Sequence, residues 1–350
     1  MKRIPKYLTL ILSIVFAAVM LVACAPAAST EAAKTAAPVA TAAPAAPEKT
    51  AAPAAPQAKK YTVAFSLKTI TNDAFQKAIA DSIQKAVEGA GHEFILVTAE
   101  SQTAVATQVK QIEDLITKGV DAMIVSPMDA NAVIPALKKV KEAGIPVVLV
   151  DQGIAAGNED LYLTFIATDN YNCGKMAGER MVKELNGEGN VLMVRGANGS
   201  SAGDDRADGF KKGLEGSNIK VVGEQPGDWV VDKAMQVTEN MLQGNKKVDG
   251  IFTCSDNMLP GILQALQNDN RVGVKIISVD GSKAGCDLIG EGLVLGTMAQ
   301  FPAKMGPFAV EKLLGVLDGT IDPVSIEKVI DSGTMVYDKS NLDEAAKWYF

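Results

Sequence analysis

The sequence predicts an α/β fold made of two doubly wound parallel-sheet lobes. Three observations carry this expectation. From Tyr61 onward, short apolar strands alternate with amphipathic helices, the pattern of βαβ units and a parallel sheet. The alternation runs through two series, giving too many strands for one comfortable sheet. Two long apolar strands, one in each series, end in the same way: "PVVLVDQG" stops at Asp151 and "KIISVDGS" at Asp280, each just before a glycine-containing turn.

The first sixty residues stand apart. Lys2, Arg3 and Lys6 precede an almost wholly apolar run from Leu8 to Val22, a basic n-region followed by an h-region. The run is slightly short of the ~20 residues a spanning helix needs. It ends in "LVAC", which resembles a bacterial lipoprotein signal in which Cys24 is lipidated and begins the mature chain. Residues 1–23 are therefore expected to be a signal peptide; a retained transmembrane anchor is the competing reading. Residues 24–60 are almost all Ala, Pro, Thr, Lys and Glu, and cannot bury enough surface to offset chain entropy. At ~3.1 Å per residue, such a Pro-rich tether spans roughly 100 Å fully stretched. The globular part is expected to sit outside the cytoplasm, lipid-anchored.

In the first series, "YTVAFS", "EFILVTA", "DAMIVS" and "IPVVLVD" read as strands. The intervening "DAFQKAIADSIQKAVEGAG", "TAVATQVKQIEDLITKG" and "NAVIPALKKVKEAG" read as helices, each ending on glycine. A short strand "LYLTFI" follows. In the second series, "NVLMV", "IKVVGE", "DGIFTC" and "VKIISVD" are strands. They alternate with the helices "DNYNCGKMAGERMVKELN", "DDRADGFKKGLEG", "DKAMQVTENMLQG" and "NMLPGILQALQ".

Composition excludes several function classes. The 350 residues are 47% hydrophobic, enough for a substantial core, and the net charge of -7 with no basic stripe argues against nucleic acid. The only histidine, His92, rules out a multi-histidine zinc site and leaves a triad one histidine at most, in a turn. Four scattered cysteines (Cys24, Cys173, Cys254, Cys286) form neither a zinc motif nor a disulfide framework. The last three are expected to be small unpaired core residues. No cofactor, metal or catalytic residue is expected.

In doubly wound sheets, ligands bind beyond the carboxyl ends of the strands. Asp151 and Asp280 sit there, one in each expected lobe, and would point into a shared cleft if the lobes face each other. Asn72 and Phe75 in "TNDAF", Arg206 in "DDRADGF", Trp229 in "GDW", Ser255 in "CSD" and Gln300 in "MAQFP" fall at similar places. Each has a plainer explanation: Asp151 or Asp280 as a turn or cap residue, Asn72 as a helix cap, Arg206 paired to Asp204 or Asp205, Trp229 as core. Together their chemistry is coherent. Carboxylates accept from vicinal hydroxyls, Arg, Asn and Gln donate to hydroxyl and ring oxygens, and Phe75 and Trp229 offer flat faces to a sugar ring.

From about Tyr61 to Tyr337 the chain resembles the type I periplasmic substrate-binding proteins of sugar ABC transporters, the ribose-binding type in particular. The marks are "TNDAF", "VDQG", "ATDN", "DDRADGF", "GDW", "CSDNM", "VDGS" and "MAQFP", in that order. The resemblance implies ligand contacts at Asn72, Phe75, Asp151, Arg206, Trp229, Asp280 and Gln300, with Trp229 where the relatives use phenylalanine. It also marks departures: Gln152 stands in place of an arginine, Ala74 in place of an aromatic and Ser255 in place of an asparagine. The lost cationic donor and ring wall change the hydrogen-bond pattern and leave more room, which suits another sugar or polyol. The family architecture implies an N-terminal lobe of residues 61–168 plus 301–331 and a C-terminal lobe of 169–300 plus 332–350. Their hinge would cross at Thr168–Asp169, Gln300–Phe301 and Asp331–Gly333. The implied role is a monomeric receptor that closes on its ligand and docks on an ABC transporter permease; service to a chemoreceptor or sensor kinase is the alternative. A repressor of the same body would need a helix-turn-helix before Tyr61, where the sequence has a signal and tether. A glycosidase could use two carboxylates, but the amide and arginine neighbours suit holding better than cutting.

Overall fold

The computed structural model describes residues 59–350; the signal and tether, Cys24 included, lie outside them. The first series folds as β1 (Thr62–Leu67), α1 (Ala74–Gly89), β2 (Glu93–Thr98), α2 (Val105–Lys118), β3 (Ala122–Val125), α3 (Ile134–Glu142), β4 (Val147–Val150) and β5 (Phe165–Ala167). The second series is α4 (Asn170–Glu184), β6 (Glu188–Arg195), α5 (Ser201–Gly213), β7 (Asn218–Pro226), α6 (Val231–Gly244), β8 (Gly250–Thr253), α7 (Leu259–Asn268), β9 (Lys275–Asp280), α8 (Lys283–Gly290) and β10 (Gly296–Gln300). The chain ends with α9 (Pro302–Leu317), β11 (Val329–Asp331), β12 (Thr334–Asp338) and α10 (Leu342–Ala345).

These strands form two six-stranded sheets, ordered β11-β5-β4-β3-β1-β2 and β12-β10-β9-β8-β6-β7. The first is parallel throughout; the second is parallel except where β12 runs antiparallel to β10. Helices cover both faces, which is why β3, β4, β8 and β10 are buried along their whole length, and why β3 and β4 read as unbroken apolar runs. These are the two doubly wound lobes that the alternation predicts, in the arrangement that the resemblance to type I periplasmic binding proteins implies. In each sheet the strand order reverses beside the first strand of its series, at β1/β3 and at β6/β8, and a crevice opens at the carboxyl ends there.

The chain passes between sheets after Ala167, after Gln300 and after Asp331. The three passages run side by side. Thr168 Oγ1 lies 3.2 Å from Ser332 Oγ, the Asp169 amide donates to Asp331 Oδ1, and Thr334 Oγ1 donates to the Ala299 carbonyl. Phe301 meets Trp348 edge to face, with the Lys304 ammonium over both rings.

Two details depart from the sequence reading. The strand expected over "LYLTFI" shortens to β5 and is preceded by a 3-10 turn at Glu159–Leu161. Lys328 Nζ takes the carbonyls of Glu159, Tyr162 and Leu163, which are thereby spent on a side chain instead of a sheet ladder. The last residues also do more than complete the second lobe. After β12 joins the second sheet, Phe350 packs against the core under the first, its ring edge-on to Phe75.

Candidate ligand-binding site

Where the carboxyl ends of the two sheets face each other, a small, partly open cavity of ≈ 20 Å³ lies between them. Both strand-end aspartates line it. Asp151 follows β4 and Asp280 ends β9; they are 3% and 5% exposed, and both have positive φ, 64° and 138°. Such backbone costs a non-glycine residue about 1–3 kcal/mol and is held only where the surroundings over-determine it.

The two carboxylates are braced from their own lobes. Asp151 Oδ2 accepts from Gln76 Nε2 at 2.9 Å and Ser126 Oγ at 3.2 Å. Asp280 Oδ2 accepts from Ser255 Oγ at 2.6 Å and the Asp256 amide at 3.0 Å, and its Oδ1 from Gln300 Nε2 at 2.7 Å. Burial pushes Asp280 up to about 7; Arg206 opposes this and Asp256 adds to it. Asp256 lies behind, outside the cavity lining, accepting from Ser278, Thr297 and Ser282; burial raises it too.

Arg206 projects from α5. Its Nε donates to Asn170 Oδ1 at 2.8 Å, and its Nη1 donates to the Cys254 carbonyl at 2.7 Å and lies 3.6 Å from Asp280 Oδ1. The plainer pairing with Asp204 does not occur: Arg195 takes that carboxylate. Trp229, at φ 64°, is buried, with Lys68 Nζ 5.1 Å and the Arg206 guanidinium 5.7 Å from its ring centroid. Phe75 closes another wall. The side-chain oxygens of Gln76 and Gln300 are buried without a hydrogen-bond partner, two acceptors left for a guest.

Of the residues singled out in the sequence, the structure brings Phe75, Asp151, Gln152, Arg206, Trp229, Ser255, Asp280 and Gln300 to this one cavity. Asn72 is not among its lining residues. It is exposed at φ 57° in the turn before α1, and the cap and the inward position both belong to the next residue, Asp73. Asp73 Oδ1 accepts from the Gln76 amide and its Oδ2 from Gln102 Nε2. Gln152, which stands where the resemblance implies an arginine in the relatives, lines the cavity and also spans the two lobes: Ser200 Oγ donates to its Oε1 at 2.7 Å. Sequence reasoning missed Lys68, Asp73 and Gln76. The signal available for them was position alone, since all three follow β1 at its carboxyl end.

The sequence comparisons match this arrangement. Residues 63–321 fit the model of the periplasmic binding protein domain. The chain belongs to this family. Among its relatives, the ribose import binding protein of Haemophilus influenzae is 32% identical over 258 residues, 74% of this chain and 86% of that protein. The xylitol-binding protein of Mycolicibacterium smegmatis is 29% identical, over 71% of this chain and 70% of that one. In structure, the chain is similar to an ABC transporter solute-binding protein from Agrobacterium vitis with bound D-fucose. The TM-score is 0.76 at 27% identity, covering 83% of this chain and all of that one. These relatives are solute-binding proteins, and this periplasmic binding protein shares their role class: it is a solute-binding protein and not an enzyme.

Proposed function

We propose that this periplasmic binding protein captures one small sugar or polyol between its two lobes and delivers it to an ABC transporter permease. In this reading it acts as a monomer outside the cytoplasm, held at the membrane by lipid on Cys24, and the lobes close about the three passages near Thr168–Asp169, Gln300–Phe301 and Asp331–Gly333. The observation that carries it is the meeting of Asp151 and Asp280, from different sheets, at one cavity that Trp229 also lines, with the unsatisfied amide oxygens of Gln76 and Gln300. Carboxylates and amide oxygens are acceptors for hydroxyl protons, Arg206 is a donor, and the indole face suits the C–H side of a ring. Ligand favours closure because it touches both lobes. The names of the relatives, for ribose, xylitol and D-fucose, agree with this ligand class.

The test is a thermal-shift screen of the purified protein over pentoses, hexoses and polyols. At least one should stabilise it, by about 2.7 kcal/mol at a hundredfold excess over Kd, and be recovered unchanged. Asp151→Ala and Asp280→Ala should each remove that shift while leaving the protein folded. A blank screen, turnover of the sugar, or two variants that bind like wild type would each overturn the reading.

A further inference from the structure

The sequence closes with three aromatic residues in a row, Trp348, Tyr349 and Phe350, in a chain that is 5% aromatic. They lie beyond residues 63–321, the part that fits the family's model. Each ring goes to a different part of the molecule. Tyr349 packs in the second lobe against the cluster that holds Cys286 and Tyr337, with Lys283 Nζ 5.7 Å from its ring centroid. Trp348 meets Phe301 edge to face at one of the passages between the lobes, 5.7 Å between centroids. Phe350 crosses to the first lobe. Its ring stands edge-on to Phe75 at 5.4 Å between centroids, while its carbonyl accepts from the Lys283 amide of the second lobe at 3.1 Å. The Trp348 and Tyr349 amides both donate to the Ala345 carbonyl, so the three residues are wound onto the end of α10 as one short turn.

Phe75 is the second residue of α1 and lines the ligand cavity. Side chains on a helix lean toward its N-terminus and rest on the preceding turn. In the first turn there is no preceding turn, so support for this ring has to come from another part of the chain. We propose that Phe350 is a positioning residue for ligand binding: rooted in the second lobe, it holds the Phe75 ring of the first lobe at the angle at which that ring walls the cavity. This rests on the sugar-binding reading above and adds a residue outside the cavity lining. The brace also couples the wall to the arrangement of the lobes. A shift of α8 relative to α1 must draw the Phe350 ring off Phe75 or break the bond to the Lys283 amide.

The experiment is titration calorimetry with the tightest sugar from the screen on wild type, Phe350→Ala, Phe350→Tyr, Phe75→Leu and the double variant Phe75→Leu with Phe350→Ala. Phe350→Ala should weaken binding roughly 2- to 10-fold, the worth of one edge-to-face aromatic pair. Phe350→Tyr keeps the ring and should bind as wild type does. Phe75→Leu keeps an apolar wall but no ring to hold at an angle, so on that background Phe350→Ala should cost nothing further, the signature of direct coupling. A merely structural role would lower the unliganded melting temperature and leave Kd unchanged at temperatures where every variant is folded. Unchanged affinity in Phe350→Ala, weakened binding in Phe350→Tyr, or the same loss on both backgrounds would overturn the positioning role and leave sugar binding standing. Should Phe350→Ala not fold, Phe350→Leu takes its place and should lose a smaller factor in the same pattern. If wild type binds no sugar at all, the sugar-binding reading itself fails and this role falls with it.

Discussion

Asp280 shows at the scale of one residue how a binding site is held against stability. Its carboxyl is raised to about 7, first by burial. The folded chain therefore keeps a proton that the unfolded chain has released above about pH 4. That contribution to stability is fully present below the unfolded pKa and is lost as pH rises through about 7. Asp256 and Asp73, raised by burial as well, act in the same direction. Asp280→Asn removes the titration, so the melting temperature of unliganded wild type minus that of the variant should shrink steadily from pH 5 to pH 8. Parallel curves would show that Asp280 does not titrate in this window. Both strand-end aspartates were legible in the sequence because a charge closing a long apolar run is a conspicuous break in pattern. The turn after β1 was not. Which of Asn72 and Asp73 faces inward depends on the φ of 57° at Asn72, and no periodicity encodes that angle. Lys68 was hidden for a different reason: a lysine at a strand end reads as a solvated charge, and only the opposing lobe buries it.

At the scale of elements, α4 and α5 pack closer than ordinary side chains permit. A Cβ on Gly174 would stand 2.1 Å from the Arg206 carbonyl oxygen, and one on Gly209 would stand 2.0 Å from that of Tyr171. This contact sets Arg206 on α5 against Asn170 on α4, and so aims the guanidinium into the cavity. Gly174→Ala should push the helices apart, cost roughly 1–3 kcal/mol as overpacking does, and weaken ligand binding as well. Gly89 has open space where its Cβ would be, so Gly89→Ala is the control and should leave urea unfolding and ligand affinity unchanged or slightly improved. Equal behaviour of the two variants would refute the packing role. Helices α1 to α7 and strands β1 to β9 were legible from period, apolar runs and glycine stops; α9 and the fully buried β10, whose "GTMAQ" carries Thr297 and Gln300, were not read. β11 and β12 were not, because β11 is three residues at a sheet edge with two of them exposed, and β12 is an antiparallel edge strand only partly buried. Short edge strands carry neither a continuous apolar run nor a clean alternation.

At the scale of the whole molecule, the lobes touch through polar bonds that leave the ligand out. The Ala130 amide donates to the Gly199 carbonyl at 2.9 Å, the Gly153 amide to Ser201 Oγ at 2.8 Å, and Ser200 Oγ to Gln152 Oε1 at 2.7 Å. Ser200 also caps α5, accepting from the Gly203 amide, so the bridge ties the loop after β4 to the helix that carries Arg206. Each such bond contributes about 0.5–1.5 kcal/mol net, and an open form would exchange it for water. They therefore set how often the unliganded protein visits its closed form, and apparent affinity scales with that population. Two kinds of substitution become separable on this basis. Lys68→Met should change the ranking of ligands, because Lys68 lines the cavity. Ser201→Ala, outside that lining, should raise Kd by one common factor, roughly 2- to 10-fold for ~0.5–1.5 kcal/mol, for every sugar that binds. The ratio between any two sugars should stay fixed, and the unliganded variant should show a larger radius of gyration by small-angle scattering than wild type. A change of ranking in Ser201→Ala would show that this bond bears on the guest itself and not on closure alone.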